Sequence, residues 1–141
     1  MGHHYVNSKE EGFKLMDGYH GSERKLRPEE GINAILEADG IPVLAHGLFE
    51  DGTGHLTNEE MDERVKRLKG MGLMGLECYY SRYTKEQSDF MLSLAEKYNL
   101  LVTAGSDYHG KNKTVHLGET GEVDPKRMER FYKVASMLLK N

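Results

Sequence analysis

The chain has 141 residues and a mass of 16.0 kDa, a length that predicts one compact domain. Its apolar fraction is 38% and its mean hydropathy is −0.66, and no segment approaches the roughly 20 consecutive apolar residues of a membrane span. Lys and Arg number 19 and Asp and Glu number 23, interspersed to a net charge of −4, which argues against a dedicated nucleic-acid binder.

The amino-terminal residues and the cysteine content bear on the cellular compartment. Residues 1–4 lack the basic-then-apolar layout of a secretory signal. Cys78 is the single cysteine, which excludes an internal disulfide and a zinc site built on several thiolates. We therefore expect a globular protein of the reducing cytoplasm that has neither a membrane nor a nucleic acid as its partner.

Five segments have helix start signals followed by apolar residues at helical spacing. In a capping box, a Ser or Thr and a Glu or Gln three residues later satisfy the first free backbone N–H groups of a helix. The boxes are Ser8 with Glu11, Thr57 with Glu60, and Thr84 with Gln87, and the other two helices begin at Pro28 and at Asp124 with Pro125. We expect one helix before Gly18 and four more at 28–39, 57–70, 84–98 and 125–140, with their methionines as core residues.

Three short apolar runs between these helices are predicted to be strands, at 41–45, 76–80 and 100–104. Each run is continuously apolar rather than alternating, which is typical of a parallel sheet with both faces covered. Strands that alternate with helices predict an α/β fold of about three parallel strands with flanking helices. We expect residues 1–27 to be a helical lead-in segment, residues 28–141 to form the α/β domain, and 105–123 to be a long loop.

Three parallel strands cannot close a barrel, so both outer strands would keep an unpaired edge. We therefore expect a further portion of the fold or a partner chain to cover these edges. The simplest assembly is a homodimer with a twofold interface.

Polar residues that could bind a metal follow two of the predicted strands. His46 comes directly after the first strand, and Asp107 and His109 follow the third. Ligand sites of parallel α/β sheets lie at the carboxyl ends of the strands, and a carboxylate with imidazoles suits a divalent metal. The alternatives are that His46 is an ordinary hydrogen-bonded histidine and that the Asp-x-His pair belongs to a turn.

Two further residues lie near the end of the second strand. Glu77 interrupts an apolar run, and because a buried carboxylate needs a partner, it should either face the site or form a salt bridge. Arg82 follows the strand among tyrosines, where it could bind a phosphate or remain a solvated surface arginine. We expect Cys78 to be an inert buried thiol. The catalytic residues themselves are not identified by any motif.

Three strings of the sequence occur in the order found in the PHP family, named for polymerase and histidinol phosphatase. They run from Gly40 to His46, from Gly72 to Tyr80 and from Thr103 to Gly110. Over nearly its whole length the chain resembles this family of metal-dependent phosphoesterases, in particular the branch that hydrolyses small phosphorylated metabolites, including nucleoside bisphosphates. The resemblance implies a distorted (β/α) barrel with a two- or three-metal site at the strands' carboxyl ends. It also implies that His46, Asp107 and His109 are ligands, with Glu77 beside them.

Two departures from the family pattern affect this interpretation. Gly47 stands where the family has a proline, and the family's amino-terminal His-x-His segment has no counterpart here. We therefore expect the carboxyl-terminal part of a PHP-type phosphoesterase, which supplies about three ligands for Mn, Zn, Mg or Fe. Such a part alone would lack a complete metal site and could be catalytically silent. Its partners would be a small phosphorylated substrate and either a second copy or the missing amino-terminal half.

Two other functions compete with this interpretation. The first is a catalytically silent α/β module that pairs through its sheet edge with itself or with a partner chain. The second is a fragment of an amidohydrolase-type metal enzyme, which would use the same ligand chemistry but fits the string from Gly105 to Gly110 less well.

Overall fold

The computed structural model describes residues 26–50, 54–121 and 123–127, together with the single positions 8, 10, 11, 14, 133, 136 and 137. Its helices are α1 (Pro28–Glu37), α2 (Asn58–Gly70) and α3 (Lys85–Lys97). Its strands are β1 (Val43–Leu44), β2 (Phe49–Glu50), β3 (Gly54–His55), β4 (Gly75–Tyr80) and β5 (Leu101–Gly105). Short 3-10 turns lie at Gly110–Asn112 and Pro125–Arg127. Among these helices, none is long and apolar enough to cross a membrane.

The three predicted strands form one parallel sheet in the order β1-β4-β5, which confirms the α/β prediction. The strand β1 is shorter than expected at both ends. Pro42 has no N–H group to contribute to a ladder, and the chain turns at His46, whose φ is 35°. The Pro42 carbonyl nevertheless accepts hydrogen bonds from the N–H groups of Met74 and Gly75, at 3.0 and 3.1 Å. This contact aligns the start of β4 with β1.

An antiparallel hairpin of β2 and β3 follows β1 and was not predicted. Phe49 pairs with His55, and Glu50 pairs with Gly54. Each strand has only two residues, so the alternation of a strand was not available in the sequence. The turn dipeptide Asp51-Gly52 between them was a signal that the sequence interpretation did not use. The hairpin places the Phe49 ring beside the end of β4, at 5.8 Å between its centroid and that of Tyr80.

The start signals of α1, α2 and α3 behave as predicted. The hydroxyls of Thr57 and Thr84 accept the N–H groups of Glu60 and Gln87, each at 3.2 Å. Pro28 opens α1. These caps fix where α2 and α3 begin and therefore where each helix meets the sheet.

Two predicted helices fall largely outside the described residues. Of the helix before Gly18, the structure shows Ser8 Oγ accepting the N–H of Glu11 at 3.1 Å and helical positions at 10, 11 and 14. Of the helix predicted at 125–140, it shows the turn Pro125–Arg127 and helical positions at 133, 136 and 137.

The core lies between the sheet and the helices α2 and α3. Leu76 and Val102 of the sheet and Met61 and Met91 of the helices are all fully buried, at 0% exposure. Every residue of β4 except Glu77 is buried, which agrees with its continuous apolar pattern and with a sheet covered on both faces. The two methionines are core residues as predicted.

Replacement of Leu76 by alanine should lower the free energy of unfolding by about 2–5 kcal/mol, because it opens a cavity in the middle of the sheet. The matched control is Leu117→Ala, since Leu117 is 80% exposed whereas Leu76 is 0% exposed. The control should change stability by less than about 0.5 kcal/mol. Urea unfolding followed by circular dichroism measures both, and equal effects of the two variants would contradict this account of the core.

Candidate functional site

The carboxyl ends of β1, β4 and β5 meet at one edge of the sheet, and the residues predicted as metal ligands follow there. The backbone N–H of His46 donates to a Glu77 carboxylate oxygen at 2.7 Å. The His46 ring lies 5.7 Å from the Tyr80 ring between centroids, and the Tyr80 hydroxyl donates to Asp107 Oδ2 at 3.3 Å. Glu77 and Tyr80 of β4 therefore link His46, which follows β1, to Asp107, which follows β5.

A β-bulge in β4 makes this arrangement possible. Glu77 pairs with Thr103 of β5 and Tyr79 pairs with Ala104, so Cys78 is an extra residue without a partner in the register. In a regular strand, residues three apart point to opposite faces. The bulge shifts the alternation, so Glu77 and Tyr80 both face the site. Tyr79 points elsewhere, since its hydroxyl oxygen accepts the N–H of Asp124 at 3.3 Å.

The thiol of Cys78 is not a candidate for chemistry at this site. It is fully buried, at 0% exposure, and this burial raises the pKa of the Cys78 thiol well above its ordinary value. Since the thiolate is the reactive form, the residue is inert, as the sequence predicted.

Glu77 faces the site, which was one of the two expectations for this residue. Its carboxylate is half-buried, and burial raises the pKa of the Glu77 carboxyl, while the hydrogen bond from His46 acts in the opposite direction. The space for the carboxylate comes from Gly105 of β5, where a Cβ atom would overlap Oε1 of Glu77. The glycine is therefore required for room rather than for an unusual backbone conformation.

The backbone at two of the predicted ligands is strained. Among the described non-glycine residues, positive φ angles occur at Asp39, His46, Asn99 and Asp107, at 56°, 35°, 50° and 53°. Asp39 and Asn99 follow the last turns of α1 and α3, where a left-handed residue commonly ends a helix. His46 and Asp107 instead follow strands and turn the chain at the site. Such strain persists only where the surrounding structure holds it, and it is frequent at functional sites.

Asp107 and His109 contact each other at the end of β5. His109 Nδ1 lies 2.7 Å from the backbone carbonyl oxygen of Asp107. Because a carbonyl oxygen only accepts, Nδ1 is the donor in this contact, and in the neutral ring Nε2 would be the nitrogen available to a metal. The Lys113 ammonium contacts Asp107 Oδ2 and holds the pKa of that carboxyl below its ordinary value, so Asp107 is ionised.

A cavity of about 400 Å³ is lined in part by Tyr80 and Lys113, the two residues that contact the Asp107 carboxylate. Its lining includes the cationic side chains of Arg82 and Lys113 together with Tyr80, Ser81, Ser106, Thr114 and Val115. The Arg82 guanidinium lies over the Phe49 ring at 4.6 Å from its centroid, and Phe49 stacks in turn on Tyr83 at 5.7 Å. Arg82 is thus held beside the cavity by an aromatic pair.

The available donors fit a divalent metal in kind but fall short in number. A carboxylate at Asp107 and an imidazole at His109 are suitable kinds of ligand, and the Lys113 ammonium shows that the Asp107 carboxylate attracts a cation. Within the ranges that the structure describes, no three His, Cys, Asp or Glu side chains lie close enough together to hold an ion. Asp107 and His109 could therefore hold part of a metal's coordination sphere.

Tyr80 and Lys113 are site residues that the sequence interpretation missed. Tyr80 lies three positions after Glu77, so a regular strand would place the two on opposite faces, and the sequence had no signal for the bulge. Lys113 lies six residues after Asp107 in a loop without periodicity. The charge of Lys113 near an Asp-x-His string was the only available hint.

Replacement of Gly105 by alanine should displace the Glu77 carboxylate and break its hydrogen bond to His46. We expect a loss of about 1–3 kcal/mol in unfolding free energy and faster hydrogen exchange at the His46 amide. The control is Gly31→Ala in α1, where no atom lies within 4 Å of the new Cβ. That helical substitution should stabilise the protein by about 0.5–1 kcal/mol. A Gly105→Ala protein with unchanged exchange at His46 would show that the carboxylate does not depend on this space.

Comparison with known proteins relates the chain to metal-dependent enzymes. No family model matches it. The chain is 31% identical over 90 residues to the phosphoribosyl 1,2-cyclic phosphate 1,2-diphosphodiesterase of Eggerthella lenta, a match that covers 63% of this chain and 31% of the relative. The chain thus spans about a third of the length of this curated relative.

Two solved structures are also similar. A Bifidobacterium adolescentis protein assigned as a metal-dependent phosphoesterase is 28% identical with a TM-score of 0.61, over 93% of this chain and 44% of that protein. An amidohydrolase from Chromobacterium violaceum, with bound sulfate and no metal, is 18% identical with a TM-score of 0.65, over 84% of this chain and 39% of that protein. The latter shares the fold. The resemblance to metal-dependent phosphoesterases found in the sequence is confirmed by these matches.

Proposed function

We propose that this chain forms part of a metal-dependent phosphoesterase that hydrolyses phosphate esters of small metabolites or nucleotides. The observation that carries this proposal is the arrangement of His46, Glu77 and Asp107 at the common carboxyl edge of three parallel strands. Ligands of α/β folds bind at this edge. The names of the Eggerthella lenta and Bifidobacterium adolescentis proteins support phosphoester chemistry.

In this proposal His46, Asp107 and His109 are ligands of a divalent metal centre of Mn, Zn, Mg or Fe that holds more than one ion, so the three side chains need not converge on a single ion. When bound, the metal supplies the Lewis acidity that polarises a phosphoryl group and acidifies water near neutral pH. Glu77 acts on the backbone of His46 and so sets the direction of that ring. The Tyr80 hydroxyl orients the Asp107 carboxylate.

Arg82 supplies positive charge for the substrate. Its guanidinium is held over Phe49 and lines the cavity next to Asp107. An arginine held in this way can donate two parallel hydrogen bonds to a phosphate without first losing much side-chain freedom. A phosphate in the cavity would therefore lie beside Arg82 and Lys113, and the Lys113 ammonium contacts Asp107.

We further place the sheet β1-β4-β5 within a larger (β/α) barrel of the PHP type. The chain spans 31% of its curated relative and 44% and 39% of the two solved structures, and in the described sheet β1 and β5 are the outer strands. Strands added at these edges would bring the remaining metal ligands to the same carboxyl edge. A silent interaction module is less favoured, because the Eggerthella lenta and Bifidobacterium adolescentis proteins have names of phosphoesterases.

Asp107→Asn tests the metal-binding proposal, with Asp39→Asn as its matched control. Both aspartates have a positive φ, at 53° and 56°, and asparagine tolerates that conformation, so neither variant should unfold. We expect Asp107→Asn to weaken Mn²⁺ and Zn²⁺ binding by about tenfold or more in isothermal titration calorimetry, and Asp39→Asn to leave it unchanged. Loss of a ligand carboxylate removes charge as well as a metal–oxygen bond.

Equal metal affinity of the native chain and Asp107→Asn would contradict the proposal. Turnover of p-nitrophenyl phosphate or its bis ester is a second readout. Because the described ligands are few, the native chain alone should show low turnover, and whatever turnover it has should disappear in Asp107→Asn. A phosphatase rate that persists in Asp107→Asn would likewise argue against this site.

A further inference from the structure

We propose that Lys113 alternates between two positions. Without a metal its ammonium pairs with the Asp107 carboxylate, and when a metal is bound to Asp107 the ammonium occupies the adjoining cavity. In the cavity it binds an anionic group of the substrate together with Arg82. This inference rests on the proposed function, because it requires Asp107 to be a metal ligand. It assigns to Lys113 a role in coupling metal binding to anion binding.

The first position is the one that the structure shows. The Lys113 ammonium contacts Oδ2 of Asp107, the same oxygen that accepts the Tyr80 hydroxyl at 3.3 Å. The side chains of Lys113 and Asp107 are 39% and 23% exposed. An ion pair that is open to water to this extent is weak and can be exchanged for another partner.

A divalent metal on Asp107 would expel the ammonium. The two cations would compete for one carboxylate, and the repulsion between a divalent and a monovalent ion at contact distance is twice that between two monovalent ions. The Tyr80 hydroxyl is neutral and could stay in place. Lys113 therefore lowers the apparent affinity of the chain for a metal by holding its ligand.

The second position is the cavity of about 400 Å³ that Lys113 already lines. The lining contains the cations of Arg82 and Lys113, and none of the residues named in it is an Asp or Glu. While Lys113 pairs with Asp107, one of these charges is compensated. Once a metal takes Asp107, both cations face the cavity and attract a tetrahedral oxyanion. Metal and anion should then strengthen each other's binding.

The test compares Lys113→Met with Lys111→Met in the full chain. Lys111 is exposed in the same loop, so the control makes the same change of charge two residues away. The readouts are the dissociation constant of Mn²⁺ and that of sulfate at saturating Mn²⁺, both by calorimetry. Sulfate is a tetrahedral oxyanion whose manganese salt stays soluble.

We expect opposite changes in the two constants. Lys113→Met should bind Mn²⁺ about two- to fivefold more tightly, which corresponds to the modest strength of an exposed ion pair. It should bind sulfate about threefold or more weakly, because one of two cations is lost. Lys113→Arg keeps the charge and should retain sulfate binding, and Lys111→Met should change neither constant. Circular dichroism verifies that each variant is folded.

The possible failures are distinguishable. If Asp107→Asn weakens Mn²⁺ binding but Lys113→Met leaves both constants unchanged, the role of Lys113 is wrong and the proposed function stands. If Lys111→Met reproduces the effects of Lys113→Met, the effects arise from net charge, and the inference is wrong. If Asp107→Asn does not weaken Mn²⁺ binding, the proposed function and this inference both fail.

Discussion

The hydrogen bond from the His46 backbone N–H to the Glu77 carboxylate is the contact on which the rest of the site depends. It joins the end of β1 to the middle of β4, and it holds His46 in a left-handed conformation that a histidine rarely adopts. The carboxylate can reach His46 only because Gly105 leaves room on β5. One half-buried carboxylate therefore joins the end of β1 to β4, in a space that β5 leaves open.

The bulge at Cys78 and the strain at His46 and Asp107 are parts of one arrangement. The bulge turns Tyr80 to the same side as Glu77, where its hydroxyl reaches Asp107. Because backbone strain must be offset by surrounding contacts, the buried residues of β4 provide the rigid frame against which the two strained turns are held. The site thus combines a stable core strand with turns whose backbone is strained at His46 and Asp107. This distribution is typical of ligand-binding edges in α/β folds.

Features that depend on local pattern could be predicted from the sequence, and features that depend on register could not. The caps at Thr57 and Thr84 and the parallel strands followed from residue types at fixed spacing. The common position of the residues after β1 and β5 followed from the geometry of parallel sheets. The bulge at Cys78 depends on how β4 meets β5, so the place of Tyr80 had no local signal. The contact of Lys113 with Asp107 depends on the path of a long loop, so it could not be predicted from the sequence either.

The most direct test of the central claim is the position of Zn²⁺ in a crystal of this chain, located by anomalous scattering at the zinc edge. The account predicts a peak at the carboxyl edge of β1, β4 and β5, about 2.0–2.2 Å from Asp107 Oδ and from Nε2 of His109. A zinc peak bound elsewhere on the chain, with Asp107 and His109 free of metal, would contradict it.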